Sequence, residues 1–150
     1  MTRYIFWALL LFTTLFWGCG HSKDSAHNHD HGSHSEHSGD AQIMLDNGKK
    51  WKVDDETKLR IANIRELLKE SQKKTLALSD YDALGTKVGT EIDGIIKGCS
   101  LTGQAHDELH KLLAMFFPEL NNLRSGDLDT AKGGLKNIQD LIVQFDIFFI

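Results

Sequence analysis

The sequence predicts an all-α fold, an up-down antiparallel four-helix bundle that follows a disordered N-terminal tail and a short β-hairpin or extended arm. Four stretches between residues 54 and 150 repeat apolar residues every three or four positions, which is the period of an amphipathic helix. The connections between these stretches are short, which favours antiparallel neighbours. Residues 20–40 contain no apolar residue larger than alanine, so burial could not offset the entropy lost on ordering them.

Residues 1–18 have the composition of a lipoprotein-type signal peptide. Arg3 precedes an uncharged apolar run of 14 residues, Tyr4 to Trp17, which is shorter than the about 20 residues of a membrane-spanning helix. Gly18 and Cys19 follow this run, and the pair resembles a bacterial lipobox. The resemblance implies cleavage before Cys19 and lipidation of that cysteine. The alternatives are an ordinary signal peptide and an uncleaved anchor, and both also place the rest of the chain outside the cytoplasm. We therefore expect a lipid-anchored, extracytoplasmic protein of the cell envelope, on the periplasmic side or at the cell surface.

Residues 19–40 predict a flexible tail that binds metal ions. Six histidines fall within 17 residues, and neutral imidazole is the commonest protein ligand for Zn, Cu and Ni. Histidine-rich tracts are assigned as metal-binding on composition alone, and a solubilising linker is the alternative interpretation. The six tail histidines are His21, His27, His29, His31, His34 and His37.

Residues 41–53 form the predicted hairpin or arm, because Asn47-Gly48 is the strongest short-range hairpin signal. Residues 54–150 form the predicted bundle. An Asp cap with an acidic first turn begins the first helix, and Ser79 or Asp80 is the predicted cap of the second.

The third helix begins at about Gly103 or Gln104, and Pro118 is predicted to kink or break it. The apolar stripes of the four helices are, in order, Ile61, Ile64 and Leu68; Tyr81, Leu84, Val88, Ile92, Ile95 and Cys99; Leu109, Leu113, Phe116 or Phe117, Leu120 and Leu123; and Ala131, Leu135, Ile138, Ile142, Phe145 and Phe149.

The segment "CSLTGQAHDELH" holds Cys99 and the only two histidines outside the tail, His106 and His110. The helical register predicts that all three side chains tilt toward the interior at one end of the bundle. A thiolate and two imidazoles suit Zn(II), Cu(I) or Cu(II). The predicted candidates for a further ligand, besides water, are Asp54, Asp55, Glu56, Asp146 and Met44.

Other interpretations of the three residues stay open at this stage. A buried cysteine often behaves as a small hydrophobic residue, and a histidine pair is often only hydrogen-bonded. A reactive or redox thiol is a further alternative. The metalloprotease pattern His-Glu-x-x-His is not matched, because Asp107 stands where that motif has its catalytic Glu. A phosphotransfer histidine does not fit an exported chain, and no c-type heme attachment sequence occurs.

The chain resembles a group of small, uncharacterised bacterial envelope lipoproteins. They combine a His-rich leader, an "NGxKWKV" segment and a "C-[ST]-[ML]-x-G-x-x-H-x-x-L-H" element. In this sequence the two elements are "NGKKWKV" (Asn47 to Val53) and "CSLTGQAHDELH" (Cys99 to His110), with Leu101 where the group is expected to have Met. The resemblance implies a helical domain and an envelope location, and it implies no activity.

These observations predict a binding protein rather than an enzyme. We expect an envelope lipoprotein that binds or buffers Zn or Cu ions through the tail and through Cys99, His106 and His110. The alternative is a helical interaction module that docks on an envelope protein, such as an efflux or sensor component, without an ordered metal site. The net charge of −4 and the lack of a basic stripe argue against nucleic acid as a partner.

Overall fold

The computed structural model of the protein describes residues 42–150. The predicted signal peptide, Cys19 and the six tail histidines lie outside these residues. The described chain is all-helical, as predicted, and contains no β-strand. Within residues 42–150, no helix combines the length and the hydropathy that a membrane span requires. The helices are α1 (Asp55–Ser71), α2 (Leu78–Gly98), α3 (Gly103–Leu123) and α4 (Leu128–Phe148).

Aspartate side chains cap the first and last helices. Asp54 accepts a hydrogen bond from the backbone N–H of Thr57 at 2.8 Å, and Asp127 accepts one from the N–H of Thr130 at 2.8 Å. These bonds satisfy donors that have no partner within the first turn of a helix. The predicted Asp cap of the first helix is confirmed.

The start of α2 differs from the prediction of a Ser79 or Asp80 cap. The N-cap is Ala77, and the carboxylate of Asp80 accepts the backbone N–H of Ala77 at 2.8 Å. Asp80 therefore acts from the third helical position, as the acidic residue of a capping box does. Its carboxylate also pairs with Lys74 at 2.7 Å.

Pro118 does not break α3, which continues to Leu123. The proline removes the hydrogen bond that the carbonyl of Ala114 would otherwise accept. Both Pro118 and Ala114 are exposed, so water can reach that carbonyl. Of the two predicted effects of Pro118, the break is therefore wrong, and a kink stays a prediction.

One hydrophobic core joins the four helices and the arm. Phe116 and Phe117 were alternative members of the apolar stripe of α3. Phe116 is fully buried, whereas Phe117 is 45% exposed, so Phe116 belongs to the stripe. Ile43 and Val53 of the arm are also buried in this core. The largest fully buried side chains are Phe116, Phe149, Ile61, Ile64, Ile92, Ile95, Leu109, Leu112, Leu113, Leu123, Ile138 and Val88.

Residues 42–53, which are called the arm from here on, make a tight turn and then pair with the last residues of the sequence. Asn47 and Gly48 both have positive φ, and two backbone hydrogen bonds of 2.8 Å join Asp46 and Lys49 across the turn. Farther along, the N–H of Trp51 donates to the carbonyl of Phe148, and the N–H of Ile150 donates to the carbonyl of Trp51, each at 2.8 Å. The arm is thereby held against the end of α4.

Candidate metal site

Cys99 lies at the C-terminal boundary of α2. Its backbone N–H still bonds to the carbonyl of Ile95 at 2.8 Å, but its own backbone is extended, so the helix ends there. The side chain is half-buried and packs against the core. Cys99 is the only free cysteine among the described residues. Its thiol is therefore partly accessible and has no cysteine partner in that part of the chain.

Asp54 fixes the turn that carries Cys99. Its Oδ2 atom accepts hydrogen bonds from the backbone N–H of Ser100 at 2.6 Å and from the Ser100 hydroxyl at 2.9 Å. Its Oδ1 atom accepts the Thr57 N–H at the start of α1. Partial burial disfavours the charged form, but the hydrogen bonds from Thr57 and Ser100 outweigh burial and lower the pKa of Asp54 to about 2. One carboxylate thus joins the start of α1 to the end of α2.

His106 connects Cys99 to His110. The Nδ1 atom of His106 lies 3.8 Å from the sulfur of Cys99. The His106 and His110 rings lie one helical turn apart with their centroids 4.2 Å from each other and an interplanar angle of 39°. The three predicted residues therefore form a row of neighbours in the order cysteine, histidine, histidine.

The three residues that were predicted to tilt toward the interior differ in burial. Cys99 and His106 are half-buried, whereas His110 is exposed. The buried stripe of α3 runs through Leu109 and Leu113, and His110 lies beyond the edge of that stripe. Among residues 42–150, no group of three or more His, Cys, Asp or Glu side chains has the geometry to hold a metal ion.

The distance between Cys99 and His106 has two chemical interpretations. A tetrahedral zinc ion with a Zn–S distance of about 2.3 Å and a Zn–N distance of about 2.0 Å holds the two ligand atoms about 3.5 Å apart. The observed 3.8 Å is close to that spacing. The same distance suits a weak hydrogen bond between a thiol and an imidazole.

The lowered pKa of His110 favours metal binding, because it keeps the imidazole neutral. Desolvation and the adjacent His106 lower the pKa of His110, and the nearby Asp107 opposes this effect only in part. A lower pKa keeps the imidazole neutral to lower pH, and the neutral imidazole is the form that ligates metals. His110 is thus both exposed and available as a ligand near neutral pH.

Most of the predicted further ligands are engaged elsewhere. The carboxylate of Asp54 holds Ser100 and Thr57, Glu56 pairs with Arg60 at 2.8 Å, and Asp146 pairs with Arg65. These contacts account for three of the four predicted carboxylates without any role for an ion.

No role was predicted for Glu108, but its side chain attaches the arm to α3. It is 2% exposed, and its Oε2 atom accepts the backbone N–H of Met44 at 2.9 Å. Its Oε1 atom accepts a hydrogen bond from Lys111 at 2.9 Å. Burial disfavours the charged form, but Lys111 and the Met44 N–H outweigh it and lower the pKa of Glu108. The sequence signal was a carboxylate directly beside the apolar stripe, next to Leu109.

The arm is held at a second point by Trp51. Its indole N–H donates to the carbonyl of Met44 at 2.6 Å. Met44 is therefore fixed by both of its backbone polar groups, and its side chain stays 59% exposed. The start of the described chain is in this way attached to the helix that carries His106 and His110.

No protein-family model matches the chain, and comparisons with curated proteins and with solved structures also find no match.

Proposed function

We propose that the protein is an envelope-anchored lipoprotein that binds or buffers transition-metal ions, zinc or copper, through its His-rich tail and through a Cys99, His106 and His110 site. The proposed site in the helical domain rests on the 3.8 Å distance between the Cys99 sulfur and His106 Nδ1, because this distance is close to the spacing of two ligands on one ion. His110 stands beside His106 with its ring exposed. Under this proposal the tail captures ions, and the domain offers a more ordered site.

The ligand chemistry supports the same proposal. A thiolate and two neutral imidazoles favour Cu and Zn over Mg or Ca, which prefer oxygen ligands. Binding requires loss of the thiol proton, so affinity should rise with pH until the thiol and the imidazoles are deprotonated. The protein needs no catalytic group for this role, and the lipid on Cys19 would keep it at a membrane surface.

The finer architecture belongs to the same proposal. We infer an up-down antiparallel bundle with a hairpin arm, in which the start of α1, the end of α2, the start of α3 and the end of α4 share one end. The bond from Ser100 to Asp54 and the pairing of Trp51 with the last residues support this arrangement. The candidate metal site lies at that end.

The test is a calorimetric titration of the full chain, solubilised in detergent, with Zn(II), Cu(I) and Cu(II). We expect affinity far tighter than millimolar for the wild type. Replacement of Cys99, His106 and His110 by Ser, Ala and Ala should remove one class of sites, and replacement of all six tail histidines should remove another. Circular dichroism of each variant controls for folding. Affinity no tighter than about millimolar for the wild type would refute the proposal.

A second candidate function is a helical interaction module that docks on another envelope protein. The observation in its favour is a pair of exposed apolar side chains one turn apart on α4, Val143 and Ile147, with the exposed Ile150 beyond the end of the helix. Val143 is 58% exposed, Ile147 50% and Ile150 64%. Self-association or cross-linking that disappears in a Val143→Ser, Ile147→Ser double variant would favour this function.

A further inference from the structure

A cleft opens between α1, the end of α4 and the arm. It encloses about 490 Å³, which lies within the roughly 300–1,000 Å³ range of small-molecule sites. Its floor is apolar, because Ile61, Phe145 and Phe149 line it and are at most 5% exposed. Ile150, which is 64% exposed, forms part of its wall. The cleft is therefore an apolar site at the surface, and the three residues of the candidate metal site do not line it.

Three cations surround this floor. Lys50, Lys58 and Arg65 line the cleft. Asp146 is the only acidic residue among the eight described residues that line it, and its carboxylate pairs with Arg65. Within residues 42–150 neither Lys50 nor Lys58 forms a salt bridge. The cleft is thus positively charged, although the whole chain has a net charge of −4.

Arg65 lies where a bound anion could reach it. Its guanidinium carbon is 5.9 Å from the centroid of the Phe145 ring. The Arg65 side chain is 42% exposed and that of Asp146 is 60% exposed. An ion pair as exposed as this one contributes little to stability, so a second anion can compete for the guanidinium at small cost. Carboxylates and phosphates both accept paired hydrogen bonds from arginine.

The shape of the cleft favours a slender ligand. The floor side chains are almost completely buried, so a ligand touches them only at the bottom of a narrow opening. An α-helix with its side chains is about 10–12 Å across and would rest on the cations at the rim. A single acyl chain can enter, and the methylene stems of lysine and arginine side chains add to the apolar wall. One apolar chain with one anionic head group matches both the floor and the charge.

We propose that this cleft binds an amphiphile with a single acyl chain and an anionic head group, with the chain on the apolar floor and the head group among the three cations. The head group is the carboxylate of a fatty acid or the phosphate of a lysophospholipid, because both have the chemistry that guanidinium and ammonium groups bind. The inference goes beyond metal binding and does not depend on it.

The test uses the full chain in phosphatidylcholine vesicles that contain EDTA, with palmitate carrying a photoreactive diazirine on its chain as the probe. Irradiation followed by mass spectrometry of the peptides locates the labelled residues. We expect labelling to concentrate on the segments of α1 and α4 that line the cleft. A diazirine derivative of hexadecanol has the same chain without the charge, and it should label them at least about fivefold less. A third probe, a diazirine derivative of lysophosphatidic acid, compares phosphate with carboxylate, and cleft labelling by either anionic probe supports the proposal.

Variants of the charged residues test the head-group site. The Lys58→Gln, Arg65→Gln double variant should reduce labelling of the cleft by at least about fivefold, because it removes two charged donors. The matched control, Lys132→Gln, Lys136→Gln, removes two exposed lysines of α4 that do not line the cleft, and labelling should change by less than about twofold. Circular dichroism checks that every variant keeps its helices.

Asp146→Asn gives a change in the opposite direction. It removes the anion that competes for Arg65, so labelling of the cleft should rise by about twofold or more. A purely structural role of the ion pair would not produce a gain in binding. A decrease in labelling by a variant that keeps its helices would contradict the proposed competition.

The remaining outcomes would overturn the proposal. Equal labelling by the palmitate and hexadecanol probes, or labelling spread evenly over the four helices, would show that the cleft does not select an anionic amphiphile. Equal losses in the double variant and in its control would show that the cations of the cleft have no special part. If a carbodiimide instead joins the cleft lysines to carboxylates of a second copy while the probes leave the cleft unlabelled, an acidic protein surface is the occupant. Because EDTA is present throughout, none of these outcomes depends on whether the proposed metal binding is correct.

Discussion

The Asp54→Asn substitution removes the negative charge of Asp54 and leaves the shape of the side chain nearly unchanged. Asparagine is nearly isosteric and is itself a good N-cap, so the cap on Thr57 should survive. The substitution removes the charged carboxylate whose Oδ2 atom accepts both hydrogen bonds from Ser100. The variant therefore tests whether the charged carboxylate is what stabilises the junction between α1 and α2.

The magnitude follows from the pKa of Asp54, which is about 2 in the folded protein against 3.8 ordinarily. That difference corresponds to at most about 2.4 kcal/mol of stability at pH 7, and partial exposure reduces it to about 1–2 kcal/mol. The folded pKa is the lower one, so the unfolded chain binds the proton more readily. The stabilisation is complete above about pH 5 and is lost as pH falls through 3.8 toward 2.

The assay is urea unfolding of wild type and Asp54→Asn followed by far-UV circular dichroism at pH 7 and at pH 2. We expect the variant to be less stable by about 1–2 kcal/mol at pH 7 and nearly equal to the wild type at pH 2. Other carboxylates titrate in both proteins, so the difference between the two isolates Asp54. A deficit of the same size at both pH values would show that the charge is not responsible.

Three further predictions concern the core, a close helix contact and the histidine pair. Phe116→Ala should destabilise the protein by about 3–5 kcal/mol in urea unfolding, whereas Phe117→Ala should change stability by less than about 1 kcal/mol; equal losses would contradict the assigned burial. Gly134→Ala should destabilise by about 1–3 kcal/mol, because the new Cβ would lie 2.9 Å from a backbone oxygen of α3. Gly133→Ala, with nothing within 4 Å, should stabilise by about 0.5–1 kcal/mol in the same measurement. An NMR titration of the metal-free protein should give His110 a pKa below 6.5, with stability falling as pH drops below that value; a value at or above 6.5 would contradict the reasoning.

The helices were predictable because their apolar period is local information. The stripe from Tyr81 to Ile95 is buried as expected, and the Asp54 cap follows from one residue type before an acidic turn. The choice between Phe116 and Phe117 was not predictable, because both fit a helical stripe and only packing against other helices decides between them.

The candidate site was predictable only in part. The sequence placed Cys99 at the end of one helix and the two histidines one turn apart at the start of the next, and the structure brings these residues into a row. The exposure of His110 depends on how α3 is rotated about its own axis. The apolar stripe in the sequence defines that rotation only to within one residue position. The bond between Glu108 and Met44 joins residues 64 positions apart, and no local pattern encodes such a contact.

The pairing of Trp51 and Val53 with the last residues makes the two ends of the described chain depend on each other. Val53 donates its N–H to the carbonyl of Ile150 at 3.0 Å, and the Ile150 N–H donates to Trp51. Chain ends usually fray separately and at little cost. Here neither end can detach without breaking the bonds of the other, so the amides of Trp51, Val53 and Ile150 should exchange with solvent in a single opening event. A tag fused after Ile150 would act on that same junction. A label meant to leave the domain undisturbed belongs elsewhere, for example at the exposed Gly133 of α4, where an added Cβ would have nothing within 4 Å.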